Sequence, residues 1–210
     1  MRKSVSMKQV HGWWFPDHET HIWRIMELSN VVMNDRLSYQ GMKQQKLLEL
    51  CEKRRTMLDI GAHVGLWSYN MALEFDKVHA FEPMEEHREC FRKNVTGVEL
   101  HECALGESNK TVGMKTTAGN SGDTFVFLDG NTPMRRLDEF NFDAVDAIKM
   151  DCQGYEPYII DGMSDTIIRN HPVIVVEEKA GTTCIDKLAK FGYVRNTVIH
   201  GDHFMTWKAR

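Results

Sequence analysis

The stretch that most constrains the fold runs from Met57 to Gly65, with the sequence MLDIGAHVG. An apolar strand here leads through two glycines into a helical pattern, which is typical of the first strand-to-helix turn of a parallel α/β sheet. Gly61 and Gly65 let the backbone approach a ligand closely, and the next helix presents free N–H groups to an anionic group. The turn therefore predicts a nucleotide-type cofactor at the carboxyl edge of the sheet.

The spacing of the glycines separates two kinds of cofactor. A dinucleotide fingerprint, G-x-G-x-x-G, that starts at Gly61 needs glycine where this chain has His63 and Leu66. Glu82 follows the turn by about 20 positions, where doubly wound folds hold a ribose. The pattern favours S-adenosylmethionine, a nucleoside with an amino-acid tail, and leaves an NAD-dependent oxidoreductase as the weaker alternative.

Strand and helix patterns alternate from Thr56 onward and predict an α/β fold, a mostly parallel sheet with helices on both faces. The predicted strands of this sheet are Thr56–Ile60, Lys77–Phe81, Val98–His101, Val145–Met150, Val173–Glu177, Tyr193–Ile199 and His203–Lys208. Helices are predicted from about Leu66, over Glu85–Val95 and Tyr155–Arg169, and over Thr183–Phe191, with an inserted hairpin of Thr111–Thr116 and Thr124–Leu128. Seven strands with an antiparallel last strand are the layout of Rossmann-like class I methyltransferases.

Residues 1–55 differ in sequence pattern from the alternating strands and helices that follow. We predict that they form an aromatic and helical extension, or cap, ahead of a methyltransferase domain at 56–210. Its helices are expected near His18–Asn30, capped by Asp17, and near Gln40–Lys53. The aromatic run Trp13–Phe15 either anchors these helices to the sheet or forms a wall over a ring-shaped substrate.

Composition narrows the class of protein. The 210 residues carry 27% charged and 42% apolar side chains, as in one globular domain, and a formal charge of -4 argues against a nucleic-acid partner. Five scattered cysteines without a C-x-x-C pair read as reduced cytosolic thiols. No secretory signal and no apolar run of about 18 residues is present, so a soluble cytoplasmic protein without a membrane partner is expected.

Three segments together resemble the FkbM family of S-adenosylmethionine-dependent methyltransferases: Leu58–Gly65, Ala80–Pro83 and Ile148–Glu156. Weaker matches are Asn94, Ala104-Leu105, Arg136–Asp138 and Pro172–Glu177, and together they cover about residues 56–180. The resemblance implies methyl transfer, typically to oxygen, on small molecules or sugars. One position departs from it, because the family usually has Glu where this chain has Gln153.

The predicted cofactor residues follow the ends of the first four strands of the sheet. They are Asp59, Gly61, Ala62, His63, Gly65 and Leu66 at the first turn, Glu82 and Pro83 at the ribose, Cys103 and Ala104 at the adenine, and Asp151. Asp151 is expected beside either the methionyl ammonium or the acceptor.

Candidate catalytic bases must lie at the same edge of the sheet. Asp151, Glu177, His200 and His203 meet this condition, and Asp202 is near enough in sequence to orient one of the two histidines. His11, His18 and His21 have a spacing that suits a metal, but no second ligand pair accompanies them, so no metal site is predicted.

The sequence therefore predicts an S-adenosylmethionine-dependent methyltransferase that acts on a hydroxyl oxygen of a small molecule or glycan. Two alternatives remain open. One is a cofactor-binding module without catalysis, which Gln153 keeps open. The other is methylation of nucleic acid or protein, which is weaker because Asp151–Gly154 stands where such enzymes have Asn-Pro-Pro-Tyr or Asp-Pro-Pro-Tyr.

Overall fold

The computed structural model describes residues 5–179, 181 and 183–208. The first four residues, part of the segment from which we expect no secretory signal, lie outside this range. In chain order the strands are β1 (Met7–Val10), β2 (Trp13–Pro16), β3 (Val32–Met33), β4 (Arg36–Leu37), β5 (Thr56–Ile60), β6 (Lys77–Phe81), β7 (Glu99–His101), β8 (Ala104–Leu105), β9 (Lys110–Thr117), β10 (Asn120–Arg135), β11 (Val145–Met150), β12 (Val173–Glu177), β13 (Tyr193–Ile199) and β14 (Asp202–Trp207). The helices are α1 (Ile22–Ser29), α2 (Gly41–Leu50), α3 (Leu66–Met71), α4 (Glu85–Asn94), α5 (Glu156–Asp161), α6 (Ser164–Asn170) and α7 (Cys184–Lys190), with a 3-10 turn at Leu137–Phe140.

The central sheet has seven strands within the described residues, in the order β13-β14-β12-β11-β5-β6-β7. β14 runs antiparallel to β12, whereas β5, β6, β7, β11 and β12 pair in parallel. The predicted fold class, with its antiparallel last strand, is confirmed. The chain leaves β5 for β6 on one side and later returns to β11 on the other, which makes the carboxyl end of β5 the switch point where such sheets bind ligands.

Alternate residues of the central strand β5 face two separate apolar layers. Leu58 and Ile60 pack with side chains from α5, α6 and α7, whereas Met57 packs with side chains from α2 and α3. All five residues of β5 are buried. Burial on both faces is expected for a central strand of a parallel sheet covered by helices, and it explains why Met57, Leu58 and Ile60 are all apolar.

The amino-terminal extension begins with a hairpin and not with a helix. β1 and β2 pair antiparallel around His11 and Gly12, both of which have positive φ, as a tight hairpin turn requires. Trp13 and Phe15 are completely buried against Val64, among others. The structure thus shows these two aromatic side chains in the anchoring arrangement.

The helix α1 is shorter than predicted because residues before Ile22 form a turn. Glu19, and not Asp17, satisfies the first N–H groups: its Oε1 accepts hydrogen bonds from the backbone N–H of His21 and of Ile22, at 2.5 and 2.6 Å. Asp17 instead accepts a hydrogen bond from Ser6. The prediction that Asp17 caps this helix is wrong.

The single helix predicted for Tyr155–Arg169 is two helices, α5 and α6, separated at Gly162. A Cβ at Gly162 would lie 2.0 Å from the carbonyl oxygen of Gly106, so the loop after β8 occupies the space that a side chain would need. The inserted hairpin is also longer than predicted, since β9 and β10 together span Lys110–Arg135 and β10 further pairs with β8. In the described part of the chain, no helix is long and apolar enough to cross a membrane.

Candidate active site

The carboxyl ends of three adjacent strands build the candidate site. Gly61 follows β5, Glu82 follows β6 and Asp151 follows β11. The backbone N–H groups of Gly61 and Ala62 both donate to the carbonyl of Phe81 at 3.1 Å, and the N–H of Asp151 donates to Ile60 at 3.2 Å. These bonds continue the sheet beyond its strands and hold the three loops against one another.

A cleft of about 560 Å³, including its open mouth, lies over this edge. One part of it is polar and contains Gly61, His63, Glu82 and Asp151. The other part is mainly apolar, with Ile60, Phe81, Cys103, Ala104, Leu105, Met114, Val126 and Ile159 in its walls. A slot of this kind suits a flat aromatic ring with a polar tail.

Glu82 is buried at the centre of the cleft and already accepts three hydrogen bonds. The backbone N–H of His63 donates at 2.8 Å, the backbone N–H of Met84 at 2.8 Å and the His87 ring nitrogen Nδ1 at 3.1 Å. Burial opposes ionisation, but His87 and the backbone donors outweigh it and lower the pKa of Glu82. A carboxylate accepts about four hydrogen bonds, so Glu82 retains capacity for a ligand hydroxyl.

Lys149 and Asp59 form a buried ion pair beneath the first turn. The Nζ of Lys149 lies 3.3 Å from Asp59 and donates to the carbonyl of Gly61 at 2.8 Å. Burial disfavours the lysine charge, yet Asp59 and Asp151 raise the pKa of Lys149 above its usual range. Asp59 also accepts from Ser68 at 2.6 Å and does not line the cleft. It positions the turn, which differs from the predicted contact with the cofactor.

A hydrogen-bonded chain joins the extension, the inserted hairpin and the first turn. Ser121 donates its hydroxyl to Glu19 and lies 2.8 Å from Nε2 of His63. Burial is offset by Ser121 and by backbone donors, so the pKa of Glu19 is lowered and it can only accept. Because Ser121 donates to Glu19, His63 must donate from Nε2, which leaves its Nδ1 as an unprotonated, buried nitrogen without a hydrogen-bond partner among the described residues.

The residues of this hydrogen-bonded chain are far apart in sequence, and the sequence analysis does not predict Glu19 or Ser121 as a site residue. Both are fully buried. Burial and the neighbouring His87 hold the pKa of His63 well below its usual range. His63 is therefore neutral at physiological pH, in a tautomer set by Ser121.

A second, more polar cavity opens beside the cleft and shares Gly61, His63, Gly122, Asp151 and Gln153 with it. Its other walls are His21, Ile22, Tyr39, Ala62, Leu66, Trp67, Asn120, Asp123 and Lys149. The extension thus contributes His21, Ile22 and Tyr39 to this cavity, and the inserted hairpin contributes Asn120, Gly122 and Asp123.

Gln153 connects Asp151 to a lysine. Its Nε2 donates to Asp151 at 2.9 Å, and its Oε1 accepts from Lys179 at 2.6 Å. Glu156 is completely buried and accepts from the backbone N–H of Cys152 and of Gly154, at 2.6 and 2.9 Å. Glu156 thus fixes the turn in which Gln153 and Gly154 both have positive φ.

Glu177 lies behind Asp151 at the end of β12. One carboxylate oxygen from each of Asp151, Glu156 and Glu177 lies within 4.8 Å of the other two. Burial and the neighbouring Asp151 raise the pKa of Glu177 to about 7. Of the predicted bases, Asp151 lines both cavities and Glu177 stands next to it.

The two predicted histidine bases lie elsewhere. His200 is exposed and lines a different groove with Ile25 and Leu28, and His203 lines neither of the two cavities. Asp202 does not orient them, since it forms a 2.8 Å ion pair with Lys43. The turn between the last two strands lies at the expected edge of the sheet. β12 and β11, however, separate these strands from β5, so the two histidine side chains lie outside the cleft.

Gly65 also has a different role from the one predicted. A Cβ on this residue would lie 2.4 Å from the side chain of Val95 and 2.9 Å from Phe91. Gly65 therefore permits close packing on α4, whereas Gly61 lines both cavities. Ala62 and Leu66 line the polar cavity, and Pro83, Cys103 and Ala104 line the cleft.

The three amino-terminal histidines do not converge. His11 contacts Glu27 at 2.6 Å, and His18 lies 3.8 Å from Glu86. Neither joins the groups of three possible metal ligands found in the described residues.

Comparison with known proteins identifies the family of this chain. The family model of the methyltransferase FkbM domain matches residues 59–197, which is more than half of the chain. This chain belongs to the FkbM methyltransferase family. The resemblance carried by the three sequence segments is thereby confirmed: the matched residues form an FkbM methyltransferase domain, and the cofactor of this family is S-adenosylmethionine.

Solved structures show the same fold at low sequence identity. The FkbM methyltransferase from Methylobacillus flagellatus KT is 19% identical with a TM-score of 0.52, and the match covers 74% of this chain and 44% of that protein. This chain thus spans less than half the length of that relative. The precorrin-6y C5,15-methyltransferase from Geobacter metallireducens GS-15 is 15% identical with a TM-score of 0.54, covering 85% and 94% of the two chains. A search of curated proteins finds no significant match.

The residues of the cleft fit S-adenosylmethionine. The apolar slot suits the adenine, and the remaining acceptor capacity of Glu82 suits a ribose hydroxyl. Asp151 lines both cavities, which suits a position beside either the methionyl ammonium or the acceptor.

Proposed function

We propose that this domain methylates a hydroxyl oxygen of a small, hydroxylated acceptor such as a sugar, and that the acceptor binds in the polar cavity. The observation that carries the proposal is the position of this cavity. It shares Gly61, His63 and Asp151 with the cofactor cleft, so an acceptor in it lies beside the polar end of the cofactor. Methyl transfer needs this adjacency above all, since the reacting atoms must be aligned.

The walls of the polar cavity support an acceptor with several hydroxyl groups. Asn120, Asp123 and Gln153 offer hydrogen-bond donors and acceptors, and Tyr39 and Trp67 add aromatic surface. Two carboxylates, Asp123 and Asp151, disfavour a phosphodiester backbone in the same space. These features support a neutral polyol or sugar over a nucleic acid.

Asp151 and Glu177 are proposed to accept the proton that the acceptor hydroxyl loses. When bound, S-adenosylmethionine supplies a methyl carbon whose bond to a positively charged sulfur breaks as the acceptor oxygen attacks. Asp151 receives the proton that leaves this oxygen. Glu177, whose pKa is about 7 and whose carboxylate lies within 4.8 Å of that of Asp151, then accepts the proton from Asp151. The Nε2 donor of Gln153 holds the Asp151 carboxylate in place.

Transfer of radiolabelled methyl groups tests the proposal. The full chain is incubated with labelled S-adenosylmethionine and three acceptor panels: sugars and other polyols, total RNA, and denatured protein. We expect label in a small polyol, at an oxygen identified by NMR, and a loss of about 10²- to 10⁴-fold in rate for Asp151→Asn. The surface substitution Asp165→Asn is the matched control. Label only in RNA or protein would contradict the proposal, and S-adenosylhomocysteine binding without turnover on any panel would favour a non-catalytic module.

A further inference from the structure

Two histidines and a glutamate converge on the outer strands of the central sheet, outside the cofactor cleft. His79 lies in β6, and Glu99 and His101 lie in β7. The register places His79 opposite Glu99 and Phe81 opposite His101. Residues two apart in a strand point to the same face, so all three side chains leave the same face of the sheet.

The distances between the ligand atoms match a metal site. Nδ1 of His79 lies 3.2 Å from Nε2 of His101 and 3.2 Å from Oε2 of Glu99. Nε2 of His101 lies 3.7 Å from Oε1 of Glu99. In a tetrahedral zinc site with bonds of about 2.0–2.1 Å, neighbouring ligand atoms lie about 3.3 Å apart. These distances involve both oxygens of Glu99. The two imidazole nitrogens and one Glu99 oxygen, which all lie within 4.8 Å of one another, form one face of such a tetrahedron once the Glu99 carboxylate rotates.

We propose that His79, Glu99 and His101 bind one divalent transition-metal ion of the zinc class. Two imidazoles and one carboxylate select zinc, and metals that resemble it, over magnesium and calcium, which prefer oxygen ligands. The side chain of Glu99 is 65% exposed, so solvent reaches the cluster and supplies the fourth ligand.

Aromatic neighbours hold both imidazole rings in position before the metal arrives. Phe81 stacks on His101 with ring centroids 4.6 Å apart, and Phe142 contacts His79 at 4.4 Å. Ligands on paired strands, fixed by packing, make a more precise site than ligands on loops.

A metal at this position would join the outer strand to the cofactor cleft. β7 has three residues and, within the described residues, is an edge strand of the central sheet that pairs only with β6. The carbonyl of His101 accepts the backbone N–H of Glu82 at 3.1 Å, and Cys103 in the cleft wall follows two residues later. We therefore expect the metal to stabilise the fold and to stiffen one wall of the cleft.

Zinc titration of the metal-free full chain, prepared without a histidine tag, tests the proposal. We expect calorimetry to show one zinc ion per chain with a dissociation constant of about 10 μM or lower. Binding should weaken at least tenfold in Glu99→Gln and in His101→Gln. The matched control is His11→Gln, which removes a histidine that also pairs with a glutamate, at 2.6 Å, but lacks a second histidine beside it.

Two further readouts keep the result clear if a variant folds poorly. Glu99 is largely exposed, so Glu99→Gln should keep the circular dichroism spectrum and melting temperature of the metal-free wild type. Zinc, and not magnesium, should raise the melting temperature of the wild type, and Co²⁺ should give the visible spectrum of a tetrahedral site, which His101→Gln abolishes. Absence of zinc binding, or binding that both cluster variants leave unchanged, overturns the proposal.

Discussion

Gln153 donates its side-chain N–H to Asp151 across 2.9 Å and accepts from Lys179 through its other amide atom. The orientation of the amide is determined by its partners, because a carboxylate only accepts and an ammonium only donates. A glutamate, which the resemblance to the family implies for this position, keeps the contact with Lys179 but loses the donor to Asp151. The departure at position 153 thus converts a potential repulsion into a hydrogen bond.

This relationship predicts that Gln153→Glu is not a harmless return to the family pattern. The new carboxylate places a like charge beside Asp151 and favours protonated carboxylates in this cluster. We expect a lower rate at pH 7 and an acid limb of the pH–rate profile that moves to higher pH. The exposed Gln45→Glu, which adds the same charge on α2, should leave the profile unchanged. A profile that stays in place in Gln153→Glu contradicts the role given to the amide.

Glu177 predicts a pH dependence of both rate and stability. With a pKa of about 7, Glu177 loses its proton as the pH rises through neutrality, and the rate should rise with it. The folded pKa lies above the unfolded value, so the folded state binds more protons between about pH 4.5 and pH 7, and the free energy of unfolding should fall as pH rises through this window.

Denaturant unfolding at pH 5 and pH 8 measures this effect. The fall in the free energy of unfolding should be smaller in Glu177→Gln than in the wild type. The exposed Glu52→Gln serves as the control and should behave as wild type. An equal pH dependence in all three proteins would show that Glu177 titrates in its ordinary range.

Ser121 predicts a link between the inserted hairpin and the cofactor. Removing its hydroxyl in Ser121→Ala leaves Nε2 of His63 without an acceptor, at a cost of about 1–3 kcal/mol. Because His63 lies at the first turn and lines both cavities, part of this cost should appear as weaker binding of S-adenosylhomocysteine, measured by calorimetry. Ser108→Ala, which alters a serine outside the hydrogen-bonded chain, is the control. Wild-type affinity in Ser121→Ala would mean that the chain only supports the fold.

Gly65 predicts a loss of stability without a loss of affinity. Gly65→Ala forces a Cβ against Val95 and Phe91 and should destabilise the protein by about 2–4 kcal/mol. Gly97→Ala is the matched control: Gly97 also has a positive φ, but nothing lies within 4 Å of its added Cβ, so it isolates the backbone cost. The difference between the two variants reports the packing contact, and the folded fraction of Gly65→Ala should bind S-adenosylhomocysteine as the wild type does.

The central strands could be predicted closely because burial leaves a direct mark on sequence. β5, β6, β11 and β12 begin and end at the predicted residues. The extension was harder to predict, because Trp13–Pro16 fits a strand only with its partner Met7–Val10, and Gly12 between them was the available signal for the hairpin.

The candidate site also contains residues that the sequence predicts and residues that it does not. Topology alone predicts that Gly61, Glu82 and Asp151 meet, since residues that follow parallel strands lie at one edge, and the structure has all three in the wall of one cleft. The hydrogen bond between Ser121 and Glu19 connects residues 102 apart in sequence, so no local sequence pattern predicts it. A glycine motif also does not reveal whether a glycine faces a ligand or a neighbouring helix, which is why Gly61 and Gly65 have different roles.

Calorimetric titration of S-adenosylhomocysteine into the wild type and Glu82→Gln tests the central claim most directly, with Glu52→Gln as the charge-matched control. The account predicts micromolar binding to the wild type and to the control, and at least tenfold weaker binding to Glu82→Gln, about 1.4 kcal/mol, at an unchanged fold. Absence of binding to a folded wild type, or equal affinity in a folded Glu82→Gln, would contradict the assignment of this cleft to the cofactor.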